Sequence, residues 1–322
     1  MFLVREEVHN MINRDALLRW FRNNSLIIKT IKRMIKNPVS IVMINGGICS
    51  QMQQYLIGAY LSEKGQTVAY DLSFYDTYKL NGVNTRNFDL LKLFPALDFN
   101  IASPLQVKLY RKLFEYHPNE KSGKGFEQIP KSPVYVNGYY DVGKSMYNDF
   151  GTYFPIDIEN IGFDEGNKKF YEMILHDDNS VGVHVRRGDM KVVGNYWKVL
   201  RPLFYKQAMD KFDFSCTTFY FFSDERDWIS DNILPLFQDE IKYVFVDCNE
   251  SDRGYLDLVL LSVCRHQIAS QGSFGKYAWL LNKYDEKCLV VPNCGIANEL
   301  IETSKGKNII FIELNQDNCE NP

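Results

Sequence analysis

Short β-forming runs alternate with helix-spaced segments along most of this chain, and each run ends in glycine or a polar residue. Val39-Ser40-Ile41-Val42-Met43-Ile44 breaks at Asn45-Gly46-Gly47, a helix is predicted over 50–64, and Gln66-Thr67-Val68-Ala69-Tyr70-Asp71 reads as the next strand. The pattern repeats later, with strands predicted at 134–139, 180–185, 218–223, 242–247, 268–270, 289–291 and 309–312. Helices are predicted over 158–178, 226–236, 255–265 and 274–283 between them. Continuous apolar strands separated by helices are the mark of a parallel sheet covered on both faces. The expected class is therefore α/β. With 322 residues the chain is long enough for two such domains, read here as 38–175 and 176–322. They follow a basic helical extension, residues 1–37, broken near Asn23-Asn24-Ser25 and stopped before Pro38.

Composition narrows the function classes. Hydrophobic content of 45% and charged content of 24% are those of an ordinary globular protein, and a net charge of −3 gives no electrostatic reason to expect nucleic acid. The seven cysteines form no CxxC pair and no His/Cys cluster at metal spacing. Cys49, Cys216, Cys248, Cys264 and Cys288 lie in or beside apolar runs, as reduced core thiols do, so a reducing, cytoplasmic compartment is expected. No apolar run reaches the length of a spanning helix. The extension, rich in Lys and Arg with apolar residues at helical spacing, either rests on an anionic membrane surface or packs on its own protein with its lysines in water.

The chemistry concentrates at strand ends, where open α/β sheets bind ligands. Ser180-Val181-Gly182-Val183 runs into His184-Val185-Arg186-Arg187-Gly188-Asp189. The two guanidinium groups present forks of donors suited to a phosphate or diphosphate; a solvated surface ion pair is the plainer reading. Asp224 ends the strand Thr218-Phe219-Tyr220-Phe221-Phe222-Ser223 and either accepts two hydrogen bonds from a guanine edge or caps the helix that follows. Ser270-Gln271-Gly272-Ser273-Phe274 joins a strand to a helix and forms a second anion cradle, while Asn45-Gly46-Gly47 is either a third or a plain tight turn. His266 reads as structural. No Asp-x-Asp pair follows a strand, so no metal is demanded.

Taken in order, four blocks resemble the inverting α-1,2-fucosyltransferases of glycosyltransferase family eleven, in particular their bacterial branch. They are Gly46-Gly47-Ile48-Cys49-Ser50-Gln51-Met52-Gln53-Gln54-Tyr55, Val183 to Asp189, Phe222-Ser223-Asp224-Glu225, and Asp257 to His266 running on through Ser273-Phe274 to Asn282. Val136-Asn137-Gly138-Tyr139-Tyr140 adds a weaker fifth. The resemblance implies a GT-B-like pair of Rossmann-like domains facing a cleft, GDP-fucose as the donor and no cofactor or metal. The acceptor it implies is a galactose-containing oligosaccharide or lipid-linked glycan of a surface polysaccharide or O-antigen. By that analogy Arg186 stabilises the leaving diphosphate and Asp189 is a candidate for the acceptor's proton. His184, Arg187, Asp224, Ser273, Phe274, Asn45, Gly46 and Gly47 are then expected around the donor, and Gln51 on the acceptor side. Two departures stand out: Ser50 where the family usually has Asn, and Gly275-Lys276-Tyr277-Ala278 where it usually has Trp-Trp-Gly.

Overall fold

The computed structural model of the chain describes residues 26–77, 86–116, 126–140, 144–188, 199–238, 240–249, 251–293 and 308–320. These residues fold as two compact units. The first takes residues up to Phe88 and returns for Asp98–Val142; the second takes Asp89–Leu97 and everything from Gly143 onward. The division therefore falls earlier than residue 175. The helix Glu165–Leu175 packs against the helix Leu256–Val263, which places it with the second sheet rather than the first.

In the first unit, β1 (Val39–Met43), β2 (Thr67–Asp71), β3 (Glu115–Tyr116) and β4 (Val134–Val136) form a parallel sheet in the order β2-β1-β4-β3. The helix Ile48–Glu63 joins β1 to β2 and buries Met52, Leu56, Ile57 and Leu61 on them. At two residues, β3 is too short to leave a periodic signal, and sequence reading passes over it. The helix Pro104–Leu113 opens with a capping box, in which Ser103 N–H donates to Gln106 Oε1 at 3.0 Å and Gln106 N–H to Ser103 Oγ at 3.4 Å. Pro104 at its first position costs no hydrogen bond.

That helix is tied to the sheet by a buried ionic cluster. Asp71 Oδ2 accepts from Arg111 Nη2 and from the Tyr135 hydroxyl, each at 2.6 Å, and Arg111 Nε donates to the Tyr135 oxygen at 3.1 Å. Burial alone would raise the Asp71 carboxyl, but the donors of Tyr135, Ser73 and Arg111 outweigh it and hold the group below its ordinary value.

The second unit contains β5 (Ser180–Val185), β6 (Val199–Leu200), β7 (Thr218–Ser223), β8 (Lys242–Phe245), β9 (His266–Ile268), β10 (Cys288–Pro292), β11 (Asn308–Ile312) and β12 (Cys319–Glu320). Six of them form a parallel sheet in the order β11-β10-β9-β5-β7-β8, and β6 pairs antiparallel with β12. Counted along the chain, the six-stranded order is 3-2-1-4-5-6, that of a doubly wound nucleotide-binding sheet. Every residue of β5 is buried, as a central strand covered on both faces requires. Val181, Val183, Val185, Phe219, Phe221, Ile268 and Val290 belong to one core cluster with Phe204, Tyr205 and Met209 of the helix Pro202–Met209. Much of the aromatic surplus goes into this core.

Of the described cysteines, Cys49, Cys264, Cys288 and Cys319 are buried free thiols, Cys248 is half-buried, and Cys216 is exposed rather than in the core. Of the basic extension, the described part is the helix Leu26–Met34; residues 1–25 lie outside the described residues. Among the described residues no helix is long and apolar enough to cross a membrane.

Tyr135→Phe removes a donor from a buried carboxylate and an acceptor from a guanidinium. It should lower unfolding stability at pH 7 by about 1–3 kcal/mol in urea titration. Because the folded state holds Asp71 below its unfolded pKa, the Asp71 contribution is present at neutral pH and lost as pH falls through the folded value. The penalty should therefore shrink in acid.

Candidate functional site

A doubly wound sheet opens a crevice where successive crossovers leave in opposite directions. In the second unit that point lies between β5, which is followed by β7 on one side, and β9, which is followed by β10 on the other. The carboxyl ends of β5 and β9 carry the two segments singled out from the sequence. They meet: Ser270 Oγ and His184 Nδ1 are 3.1 Å apart, and the His184 ring stacks on Phe274 with centroids 5.0 Å apart and planes at 28°. Ser273 and Phe274 are half-buried at the start of the helix Phe274–Leu281, where Ser273 makes no side-chain cap bond. The N-terminus of that helix lies at the carboxyl edge of the sheet, where its dipole favours an anion.

That helix sits close to the sheet. A Cβ on Gly275 would come within 2.7 Å of the Ala269 Cβ and 3.1 Å of its Cα. A side chain at position 275 would push the helix start, and with it Phe274, away from the strand end.

The loop after β5 is shaped by one carboxylate. Asp224, at the end of β7, accepts from the backbone N–H of Arg187 with Oδ1 at 3.2 Å and from that of Gly188 with Oδ2 at 3.1 Å. Its Oδ2 also lies 3.5 Å from Arg186 Nε. Gly188 sits against this carboxylate: a Cβ there would stand 2.8 Å from Asp224 Oδ2 and displace it. Asp224 was expected either to meet a guanine edge or to cap the next helix; it does not cap that helix, whose start carries no side-chain cap bond. Its carboxylate is engaged in holding the arginine loop.

The two arginines have separate placements. Arg186 is 31% exposed and paired with Asp224 at the crevice edge. Arg187 was expected beside a donor, but it turns inward. Its guanidinium lies 3.7 Å from the centroid of the Trp228 ring, Nη1 donates to the Leu200 carbonyl at 3.0 Å, and Nε lies 3.5 Å from Glu225 Oε2. Arg187 thus anchors the loop to β6 and the helix Arg226–Asn232, in a buried pocket where only a paired, stacked cation is tolerated. Asp189 lies outside the described residues.

The first unit holds the remaining predicted residues at the end of its own β1. Asn45 N–H donates to Gln54 Oε1 at 2.7 Å, and Asn45 Oδ1 accepts from Gln54 Nε2 at 2.9 Å and from the Tyr139 hydroxyl at 2.6 Å. Gln51 Nε2 donates to the carbonyls of Gly46 and Asn87 at 3.1 and 2.8 Å, and the Tyr75 hydroxyl donates to Gly46 at 3.0 Å. Gln51 is fully buried, so it shapes the turn from beneath. Asn45, Gly46, Gly47 and Gln51 form this network in the first unit, whereas His184, Arg186, Asp224, Ser273 and Phe274 belong to the second. His266 is structural: Cys288 N–H donates to its Nδ1 at 3.0 Å, and burial lowers its pKa.

One residue escaped sequence reading. Asp257 opens the apolar helix Leu256–Val263, which crosses from β8 to the parallel β9 and so starts at the carboxyl edge of the sheet. Burial pushes its carboxyl up to about 7 against the opposing hydrogen bond of Asn249, whose Nδ2 donates to Oδ1 at 2.8 Å. A shifted carboxyl at a ligand-binding edge is a functional candidate. The signal was an acid among Leu256, Leu258 and Val259, which propensity treats as an ordinary first-turn residue.

A parallel doubly wound sheet with an arginine loop and a helix N-terminus at its switch point is the arrangement in which α/β proteins hold phosphate-bearing ligands. The family is more specific. The model for "Glycosyl transferase family 11" matches residues 124–312, and the chain belongs to that family. It is a glycosyltransferase of the fucosyltransferase type. Over 285 residues it is 26% identical to the alpha-1,2-colitosyltransferase of Escherichia coli, a match covering 79% of this chain and 91% of that one. It is 28% identical over 175 residues to galactoside alpha-(1,2)-fucosyltransferase 2 of Bos taurus, covering 51% of this chain and 49% of the bovine enzyme. Among solved structures it is similar to fucosyltransferase NodZ from Bradyrhizobium, with a TM-score of 0.50 at 13% identity over 77% of this chain and 94% of that one. That likeness is one of fold, the α/β GT-B type with its Rossmann-like sheets.

The folded state holds a proton on Asp257 up to about pH 7, well above the unfolded carboxyl at 3.8, so it binds more protons than the unfolded state between those values. Stability should therefore decline as pH rises across that window. Asp257→Asn should flatten the decline in thermal melts between pH 4 and 8.

Proposed function

We propose that this protein transfers L-fucose from GDP-fucose to the 2-hydroxyl of a galactoside with inversion, forming an α-1,2 linkage in a surface glycan. The observation that carries the reading is that the switch point of the second unit carries a half-buried arginine, a His–Phe ring pair and a helix N-terminus. In this proposal the diphosphate lies against Arg186 and the first amides of the helix Phe274–Leu281. As the sugar–oxygen bond breaks, negative charge grows on the leaving diphosphate, and a guanidinium already fixed by Asp224 stabilises it without rearrangement. Asp224 and Arg187 act through the loop rather than on the donor. His184 and Phe274 offer a ring surface for the nucleoside side, and Asp257 a carboxyl at the same sheet edge. Asn45, Gly46, Gly47 and Gln51 shape the turn at the end of the first unit's β1, and Gln51 is assigned to the acceptor side. Asp189 remains the candidate to take the acceptor hydroxyl's proton.

No metal has a part in the scheme, because Arg186 and the helix amides supply the positive charge that a divalent ion would otherwise bring. The acceptor is assigned as a galactose-containing oligosaccharide or lipid-linked glycan met at the cytoplasmic membrane surface, with residues 1–37 as one point of contact. A second reading concerns the donor sugar: similarity to the colitosyltransferase over 79% of the chain favours testing GDP-colitose beside GDP-fucose.

Transfer of radiolabelled sugar to a galactoside tests both. Wild-type protein should label the acceptor from GDP-fucose, EDTA should leave the rate unchanged, and Arg186→Ala should lower the rate by about 10²–10³-fold with an unchanged melting temperature. Transfer from GDP-colitose alone would decide for the second reading. Wild-type rates in the Arg186 variant would remove that residue from the mechanism.

A further inference from the structure

The helix Pro104–Leu113 of the first unit carries two unlike faces. Val107 and Tyr110 point into a core with Ile41, Phe114 and Tyr135. On the opposite side, Leu105, Lys108, Leu109 and Lys112 are all exposed, at i, i+3, i+4 and i+7, and so form one stripe. Leu105 is 77% exposed and Leu109 45%, and Ile101, just before the helix, is 63% exposed. Two leucines and an isoleucine in water so close together serve no core, while the capping box and the Asp71–Arg111–Tyr135 cluster hold the helix in this orientation.

The charge that the two helices themselves carry has one sign. From Phe99 to Phe114 the sequence contains Lys108, Arg111 and Lys112 and no acid. The neighbouring helix Leu26–Met34 and its C-terminal turn add Lys29, Lys32, Arg33 and Lys36, again with no acid. The two segments touch through a shared core, since Ile35 and Leu113 pack against the same cluster and Lys32 Nζ lies 5.6 Å over the Phe114 ring. Met34 is 76% exposed beside them. Asp71, Asp76 and Glu115 share a cavity of about 690 Å³ with Ile101, Lys108, Arg111 and Lys112, so acids flank one edge of the stripe, and Asp71 is already paired with Arg111. The two helices themselves still bring cations, and no acid, to a pair of exposed leucines in a chain of net charge −3.

We infer that this face docks on an anionic lipid bilayer. Leucine side chains enter the boundary between headgroups and acyl chains, and the lysines extend along it to place their ammonium groups among lipid phosphates. A soluble acidic partner would answer the charge but not the isolated, protruding leucines. The inference stands apart from the donor chemistry, because it concerns the other unit and needs no sugar nucleotide.

Co-sedimentation of the full chain with sucrose-loaded vesicles tests it. Wild type should bind vesicles of phosphatidylcholine with phosphatidylglycerol, and neither vesicles of phosphatidylcholine alone nor anionic vesicles in high salt. The double variants K108E/K112E and L105S/L109S, shown by circular dichroism to be folded, should each lose binding by about tenfold or more. Wild-type binding in both variants would overturn the inference and assign lipid contact to another segment. So would equal binding to both lipids, or no binding to either. Concentration-dependent dimerisation abolished by the same variants, without vesicle binding, would make this face a contact between copies instead.

Discussion

The carboxylate of Asp224 holds the rest of the donor-side arrangement in place. It accepts two successive backbone N–H groups of the loop after β5 and pairs with Arg186, so the loop follows its shape. Gly188 lets the loop approach that carboxylate closely, since a Cβ would displace it. Arg187, buried over Trp228, pins the same loop from the inside. One arginine fastens the loop, and its half-buried neighbour is the proposed reagent. Electrostatic stabilisation of a leaving group depends on charge that is fixed in advance, and this loop is built to fix it.

Sequence reading went far where one strand or one turn carries the information. The run ending at Val185, the glycine turn at 45–47 and the start of the helix at Phe274 were legible because strand ends and helix starts have local chemistry. Strand order was not legible. That β5 lies beside β9 depends on long-range pairing, and this pairing makes His184 and Ser270 neighbours across 86 positions. Nor did the sequence distinguish Arg186 from Arg187. Adjacent residues point to opposite sides of an extended chain, and only the position of Trp228 decides which side is the interior. Asp224 was recognised as important, but its work on the loop backbone depends on tertiary approach. Asp257 was invisible as a special residue because its shift comes from burial, which composition does not record.

The two units carry different burdens. The second has the sheet order, the arginine loop and the ring pair that suit a nucleotide-linked donor. The first has a turn network built on Asn45, Gln51, Gln54 and Tyr139, and on its outside a stripe of leucine and lysine held in place by Asp71, Arg111 and Tyr135. The proposed transfer to a membrane-borne acceptor would use both: a fixed cation for the leaving group and a surface that docks on the bilayer.

The central claim is that the crevice between β5 and β9 receives a guanosine diphosphate through Arg186. Calorimetric titration of wild type and Arg186→Ala with GDP and with UDP tests it directly. The account predicts binding of GDP, weaker binding of UDP, and loss of at least about tenfold in GDP affinity on removing the charge-assisted hydrogen bonds of the guanidinium. GDP binding of equal strength in the two proteins would contradict it, and would place the diphosphate elsewhere in the fold.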